Sequence, residues 1–206
     1  MEVKLLLNGL YIARSNSYGV LSDNAAVVID CGKYDLALQN FLDNNADKSR
    51  LILLTHAHFD HILGAEKLRE KTGVPIAIGK TEAENLCNPE YNLSARLRNP
   101  IHKFEPDYLI SDEQTVTVGD IKIKAYETPG HTKGSMVYLI GDNLFSGDTL
   151  FKNSIGRTDL LSGNNDEMRA SLDRIMWLFG DDVKVYPGHD EPTTIGEERK
   201  NNPYLR

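Results

Sequence analysis

The sequence predicts an α/β fold, a four-layer αββα sandwich in which two sheets pack face to face with helices on both outer surfaces. Two strand-rich halves, each finished by helices, point to it. So does Leu51 to Leu54, an all-apolar strand of the kind buried on both faces. No break in composition divides the 206 residues, which read as one domain, 1–206.

The first half opens with short strands at about Val3 to Leu7, Tyr18 to Leu21 and Ala25 to Ile29, separated by Asn8-Gly9 and Ser22-Asp23-Asn24 turns. Asp35 to Leu42 carries Leu36, Leu38, Phe41 and Leu42 at a spacing that lays a helix on a sheet. After the Leu51 to Leu54 strand the period changes. From Asp60, apolar Ile62, Leu63, Ala65 and Leu68 alternate with Glu66, Lys67, Arg69 and Glu70, a helix that Gly73 stops. Val74 to Ile78 reads as a strand and Thr81 to Leu86 as a short helix. Asn88 to Asp107, with three prolines, is irregular, and a surface connector and a segment covering the site are both open for it.

The second half repeats the pattern. Strands at Thr115 to Val118, Ile121 to Tyr126, Met136 to Ile140 and Asn143 to Phe145 are mostly joined by hairpin signals, Gly119-Asp120 and Gly141-Asp142. A helix at about Asp166 to Leu178 presents Leu172, Ile175, Met176 and Phe179 to the core. Val183 to Tyr186 is a last strand, and Ile195 to Lys200 a terminal helical turn.

Composition narrows the function. The formal net charge is -7, with 40% hydrophobic and 26% charged residues. No run of lysines and arginines is dense enough to follow a phosphate backbone, which disfavours nucleic acid. The apolar runs are strand-length, so no membrane span is expected. Met1-Glu2-Val3-Lys4 lacks the pattern of a signal peptide, and a cytoplasmic protein is expected. Cys31 and Cys87 lie far apart, outside any CxxC pair, and read as small buried or half-buried thiols rather than a disulfide.

The histidines carry the chemistry. Five of the six fall at what read as strand ends, three of them in Thr55-His56-Ala57-His58-Phe59-Asp60-His61. In extended backbone His56 and His58 point to one face, whereas Asp60 and His61 open a helix and leave in another direction. That segment therefore serves two neighbouring ions better than one. His131 and His189 each follow a Pro-Gly turn, and Asp148 follows Ser146-Gly147, where the missing side chain permits close approach. The simplest partition gives His56, His58 and His131 to a first metal ion and Asp60, His61 and His189 to a second, with Asp148 bridging. Nitrogen and oxygen donors without thiolate suit two divalent ions, zinc first, with iron and manganese also accepting the set. His102, in the irregular loop, reads as structural.

With these residues the chain resembles the metallo-β-lactamase superfamily over nearly its whole length. The H-x-H-x-D-H element, Gly130-His131-Thr132, Gly147-Asp148 and Gly188-His189 occur in family order. Aspartate rather than cysteine at 148 argues against the β-lactam-hydrolysing branch. Ser154-Ile155-Gly156-Arg157-Thr158-Asp159 and Pro192-Thr193-Thr194-Ile195-Gly196 are similar to the compact bacterial members of the hydroxyacylglutathione hydrolase (glyoxalase II) group. The resemblance implies a metal-dependent thioesterase that cleaves a small molecule such as S-lactoylglutathione. A metal-bound hydroxide would attack, with Asp60 and Asp148 as catalytic residues. The longer family members hold glutathione with a basic C-terminal segment; no counterpart is expected here, and Arg157 is the candidate for a substrate carboxylate, with a salt bridge to Asp159 as its structural alternative. Rival expectations are a mononuclear iron persulfide dioxygenase using His56, His131 and Asp148, a lactonase, and a non-catalytic metal-binding module.

Overall fold

The computed structural model describes residues 1–8 and 15–205. The first six-stranded sheet is made of β1 (Glu2–Leu7), β2 (Ser17–Leu21), β3 (Ala25–Ile29), β4 (Ser49–Leu54), β5 (Ile76–Gly79) and β6 (Tyr108–Ile110), in that spatial order. The first three run antiparallel, and β3 through β6 are parallel. The second six-stranded sheet contains β7 (Thr115–Val118), β8 (Ile121–Glu127), β9 (Met136–Ile140) and β10 (Asn143–Gly147). A two-stranded hairpin, β11 (Leu150–Phe151) and β12 (Ser154–Ile155), follows. β13 (Lys184–Pro187) then pairs parallel with β10, and β14 (Thr193–Thr194) forms the edge.

Three apolar layers realise the αββα order. Between the sheets lie Val27 and Ile29 of β3, Leu51 and Leu53 of β4, Ile123 and Ala125 of β8, and Tyr138 and Phe145. The alternate residues Ala26, Val28, Ile52 and Leu54 face outward onto α1 (Leu36–Asp43) and α3 (Ala65–Thr72). This explains why β4 is apolar at every position from Leu51: each face of its pleat meets a hydrophobic layer. On the other outer surface, α5 (Asn165–Leu178) and α6 (Ile195–Asn201) bury Leu172, Ile175 and Ile195 against Val137, Leu144 and Val185.

Several expectations are corrected. The helix expected to run unbroken from Asp60 to Gly73 is two helices, α2 (Phe59–Ile62) and α3, interrupted at Leu63-Gly64. Gly64 lies against the chain at Lys33-Tyr34, where a Cβ would sit 2.1 Å from the Tyr34 nitrogen, and its N–H donates to the Cys31 carbonyl at 2.8 Å. Gly73 ends α3 in left-handed conformation (φ 70°), as expected. The helix at Thr81 to Leu86 is shorter and earlier, α4 (Lys80–Ala83). β6, β11, β12 and β14 were not expected. The Asn8-Gly9 turn extends outside the described residues. Cys87 is exposed rather than buried, and Cys31 is buried; both are free thiols. No helix among the described residues is long and apolar enough to cross a membrane.

Candidate metal centre

Topology delivers the functional side chains to one edge. β8, β10 and β13 run in the same direction, because β8 and β10 are each antiparallel to β9 while β13 is parallel to β10. Their ends therefore release His131, Asp148 and His189 on the same side. The end of β4 in the facing sheet releases His56 and His58. His58 is the N-cap of α2 in extended conformation (φ -61°, ψ 141°), and the helix then turns Asp60 and His61 away from the first two histidines. Two glycines permit the approach. At Gly147 (φ +48°) a Cβ would lie 2.7 Å from Thr55 Oγ1, and at Gly188 it would lie 2.3 Å from Asp148 Oδ1.

All seven sequence-predicted donors meet there. His56, His58 and His131 offer donor atoms within 4.8 Å of one another, as do Asp60, His61 and His189; His56, His61 and Asp148 form a third such group that joins them. His58 Nδ1 is 3.2 Å from His56 Nε2 and 2.9 Å from His131 Nε2. His189 Nε2 is 3.4 Å from His61 Nε2 and 3.3 Å from Asp60 Oδ2. Asp148 lies between: Oδ1 is 3.3 Å from His61 Nε2, and Oδ2 is 3.4 Å from His131 Nε2 and 3.5 Å from His189 Nε2.

The outward nitrogens show which atoms face inward as lone pairs. Asp30, a residue the sequence reading missed, is the hub. Its Oδ1 accepts the Thr55 N–H at 2.8 Å, and its Oδ2 accepts both the Thr55 hydroxyl and His61 Nδ1–H at 2.8 Å. With its proton spent on Asp30, Thr55 Oγ1 accepts from His56 Nδ1 at 3.1 Å. His131 Nδ1 donates to the Arg157 carbonyl at 2.8 Å. Each of these bonds turns the Nε2 atom toward the cluster as an acceptor, the usual outer-shell device for fixing a ligating imidazole. His58 Nε2 and Asp148 Oδ1 are buried with no hydrogen-bond partner. The nitrogens that do face one another, His58 Nδ1 with His56 Nε2 at 3.2 Å and with His131 Nε2 at 2.9 Å, are close enough for lone pairs to repel unless a cation lies among them, so this donor set fits a binuclear metal site.

The protonation pattern is uneven. Burial, with His61 and His58 beside it, holds His56 well below the usual imidazole range. Burial and the neighbouring His131 take His58 down to about 3. Burial opposes charge on His61 too, but Asp148, Asp30 and Asp60 outweigh it and raise that imidazole well above its usual range. His189, also opposed by burial, is raised to about 9 by its bonds to Asp148 and Asp60. Burial would push Asp148 and Asp60 up; the surrounding imidazoles, His61 foremost, instead hold Asp148 well below the carboxylate range and lower Asp60. Protons and divalent cations thus compete for the same nitrogens in the second group and hardly at all at His56 and His58.

A cavity of about 480 Å³ opens over the cluster and is walled by Phe59, Leu93, Phe151, Ile155 and Leu160. Arg157 lines it, but its guanidinium is engaged by Asp159 (Nε to Oδ1 2.7 Å, Nη2 to Oδ2 2.9 Å) while its carbonyl holds His131. The irregular 88–107 segment is more than a connector: Leu93 lines the cavity, and the Asn92 carbonyl accepts the Phe59 N–H at 2.8 Å. His102 is exposed and lies in none of the donor groups. Another cavity of about 500 Å³, near the opposite ends of β4 and β5, has no histidine or cysteine in its lining.

Comparison with known proteins agrees with this geometry. The family model described as the metallo-beta-lactamase superfamily matches residues 11–189. "Probable metallo-hydrolase YqgX" of Bacillus subtilis is 32% identical over 195 residues, covering 93% of this chain and 92% of that protein. A solved structure described as BLEG-1 B3 metallo-beta-lactamase superposes with a TM-score of 0.88 at 36% identity and covers 99% of both chains. TTHA1623 in a di-iron-bound form superposes at 0.77 with 30% identity, covering 95% of this chain and 98% of that one. A cluster of imidazoles and carboxylates at the shared edge of two sheets, on a chain with these relatives, has one family reading: the chain belongs to the metallo-beta-lactamase superfamily.

Proposed function

We propose that the protein is a metal-dependent hydrolase cleaving small S-acyl thioesters of the hydroxyacylglutathione type. His56, His58 and His131 would hold one ion and Asp60, His61 and His189 the other, with Asp148 between the two groups. The observation that carries this reading is the convergence of seven donors, three of which, His56, His61 and His131, have their outward ring nitrogens tied off by Thr55, Asp30 and the Arg157 carbonyl. Two divalent ions in such a centre supply a water of lowered pKa and an electrophile for the carbonyl oxygen. Asp60, at the cavity wall beside His189, would orient that water. The names of relatives such as YqgX support hydrolysis.

The choice of thioester rests on the leaving group. Outside the donor set, the described residues lining the cavity include no lysine, tyrosine or cysteine, and Asp190 is the one acid among them that could protonate a departing amine or alkoxide. A thiolate, whose thiol has a pKa of about 8.5, leaves without that help. The cavity is within the size range of small-molecule sites, about 300–1,000 Å³.

The test is metal analysis of protein from unsupplemented medium, paired with hydrolysis of a thioester panel that includes S-lactoylglutathione. Zinc, iron and manganese all suit the donors, and the di-iron form of TTHA1623 puts iron beside zinc as an ion to be measured. Two bound ions and thioester turnover are expected; a metal-loaded protein inert toward the whole panel rejects the assignment. The likeness to BLEG-1 supports a second reading, β-lactam ring opening, and stands against the argument drawn from aspartate at 148. A penicillin and a cephalosporin in the same assay separate the two.

A further inference from the structure

We infer that Glu82 is a positioning residue for the first ion site, tying the loop that carries His56 and His58 to the loop that carries His131. This rests on reading the donor cluster as a metal centre. Glu82, on α4, is fully buried. Its Oε1 accepts the backbone N–H of Ala57, the residue between the two histidines, at 2.8 Å. Its Oε2 accepts the Gly134 N–H and the Thr132 hydroxyl, both at 3.0 Å, and Thr132 directly follows His131.

The placement matters because the first triad is drawn from both sheets. His56 and His58 leave β4, and His131 leaves β8 in the facing sheet, so their spacing depends on how the two loops are registered across the gap. One carboxylate contacts both loops at once. Gly134 is pressed onto the same helix, where a Cβ would lie 2.4 Å from the Glu82 backbone nitrogen. A carboxylate withdrawn from water is costly unless it is well hydrogen-bonded. An apolar side chain would fill the space under α4 at less cost, but would leave the Ala57 and Gly134 amides without this acceptor. Glu82 is thus the counterpart of Asp30: Asp30 orients His56 and His61 through their ring nitrogens or Thr55, and Glu82 sets the backbone under the first triad.

Glutamine keeps the shape of Glu82 but replaces an acceptor oxygen with an NH2 donor, so it cannot receive all three bonds. The test measures Zn2+ binding to the chelator-stripped full chain, by competition with a chromophoric chelator, in two backgrounds. With His189→Ala, only the first triad is complete, and Glu82→Gln is expected to weaken the remaining ion about 10–100-fold, the usual cost of losing an outer-shell partner. With His58→Ala, only the second group is complete, and the same substitution is expected to change affinity by less than about threefold, because the bonds of Glu82 go to Ala57, Thr132 and Gly134 and to none of the second group's donors. Equal losses in both backgrounds, or none in either, overturn the inference. Should Glu82→Gln fail to fold, Thr132→Val, which removes one of the three donors, is measured in the same backgrounds. Weakening confined to the His189→Ala background supports the inference, and any other pattern overturns it. A wild-type chain that binds no Zn2+ overturns the metal-centre reading itself, and this inference with it.

Discussion

Asp148 is the residue on which the two halves of the donor cluster close, with its two oxygens facing His61, His131 and His189. Asp148→Asn keeps the shape but puts an NH2 group where a carboxylate oxygen faced imidazole. His58→Ala removes one of three donors from the first triad. Each is expected to cut hydrolysis by more than the about 10–100-fold typical of outer-shell losses, with the far-ultraviolet circular dichroism unchanged. Near-normal turnover at full metal content would take either residue out of the chemistry. Asp30 is subtler. Its carboxylate receives three donors while its own backbone sits at φ 57°. Asp30→Asn offers an NH2 group to at least one of those donors, so metal affinity should fall about 10–100-fold. The buried donor left unpaired should cost about 1–3 kcal/mol of stability in urea unfolding. Unchanged affinity with lowered stability would leave Asp30 a role in folding only. The donor cluster was legible because His56 to His61 is contiguous and the remaining donors follow glycine turns. Asp30 and Glu82 were not, since each is a single acidic residue whose partners lie 25 or more positions away.

At the scale of elements, legibility followed length. β3 and β4, with five and six residues, show their buried faces in the chain itself. β6 has three residues and β11, β12 and β14 two each, too few for an alternation to register. The break between α2 and α3 was hidden for another reason. The apolar spacing of Ile62, Ala65 and Leu68 runs straight across it, and what interrupts the helix is contact between Gly64 and a segment thirty residues earlier in the chain. Helix α5 shows how an element can be tuned without touching the site. The Asn164 side chain accepts the Asp166 and Glu167 N–H groups at 2.9 and 3.1 Å, while its backbone N–H donates to the Gly130 carbonyl beside His131. Asn164→Ala removes the cap and leaves the backbone bond, so a loss of about 1 kcal/mol is expected in urea unfolding, with metal affinity unchanged. A drop in affinity of tenfold or more would mean that the cap, and not the backbone bond, holds the His131 turn.

For the whole molecule, the uneven protonation of the cluster sets how stability depends on pH when divalent ions are chelated. His58, at about 3 in the folded chain against an ordinary 6.5, and His56, also lowered, stay neutral in the fold while the unfolded chain takes up protons. Their influence is absent above about pH 6.5, and stability is lost as pH falls from there toward 3. His61 and His189 act in the opposite sense. Their folded pKa values are raised, that of His189 to about 9, so the stability they contribute is complete below about pH 6.5 and is lost as pH rises through 9. The chelated protein should therefore melt highest near pH 6.5 and lower on both sides. Divalent ions reverse the alkaline limb, because the ion of the second group must displace the protons on His61 and His189 and binds more tightly as they leave. An ion at a concentration 1,000 times its Kd adds about 4 kcal/mol, so the gap between loaded and chelated melting temperatures should widen from pH 6 to pH 9. Calorimetric titration at pH 7 in buffers of different ionisation heat should show more proton release for the second group, isolated with His58→Ala, than for the first, isolated with His189→Ala, where His56 and His58 are already neutral. A chelated melting curve that stays level between pH 6.5 and 9 would mean that His61 and His189 are not held charged by Asp60, Asp148 and Asp30. The donor cluster would then bind its cations without the proton competition that its geometry implies.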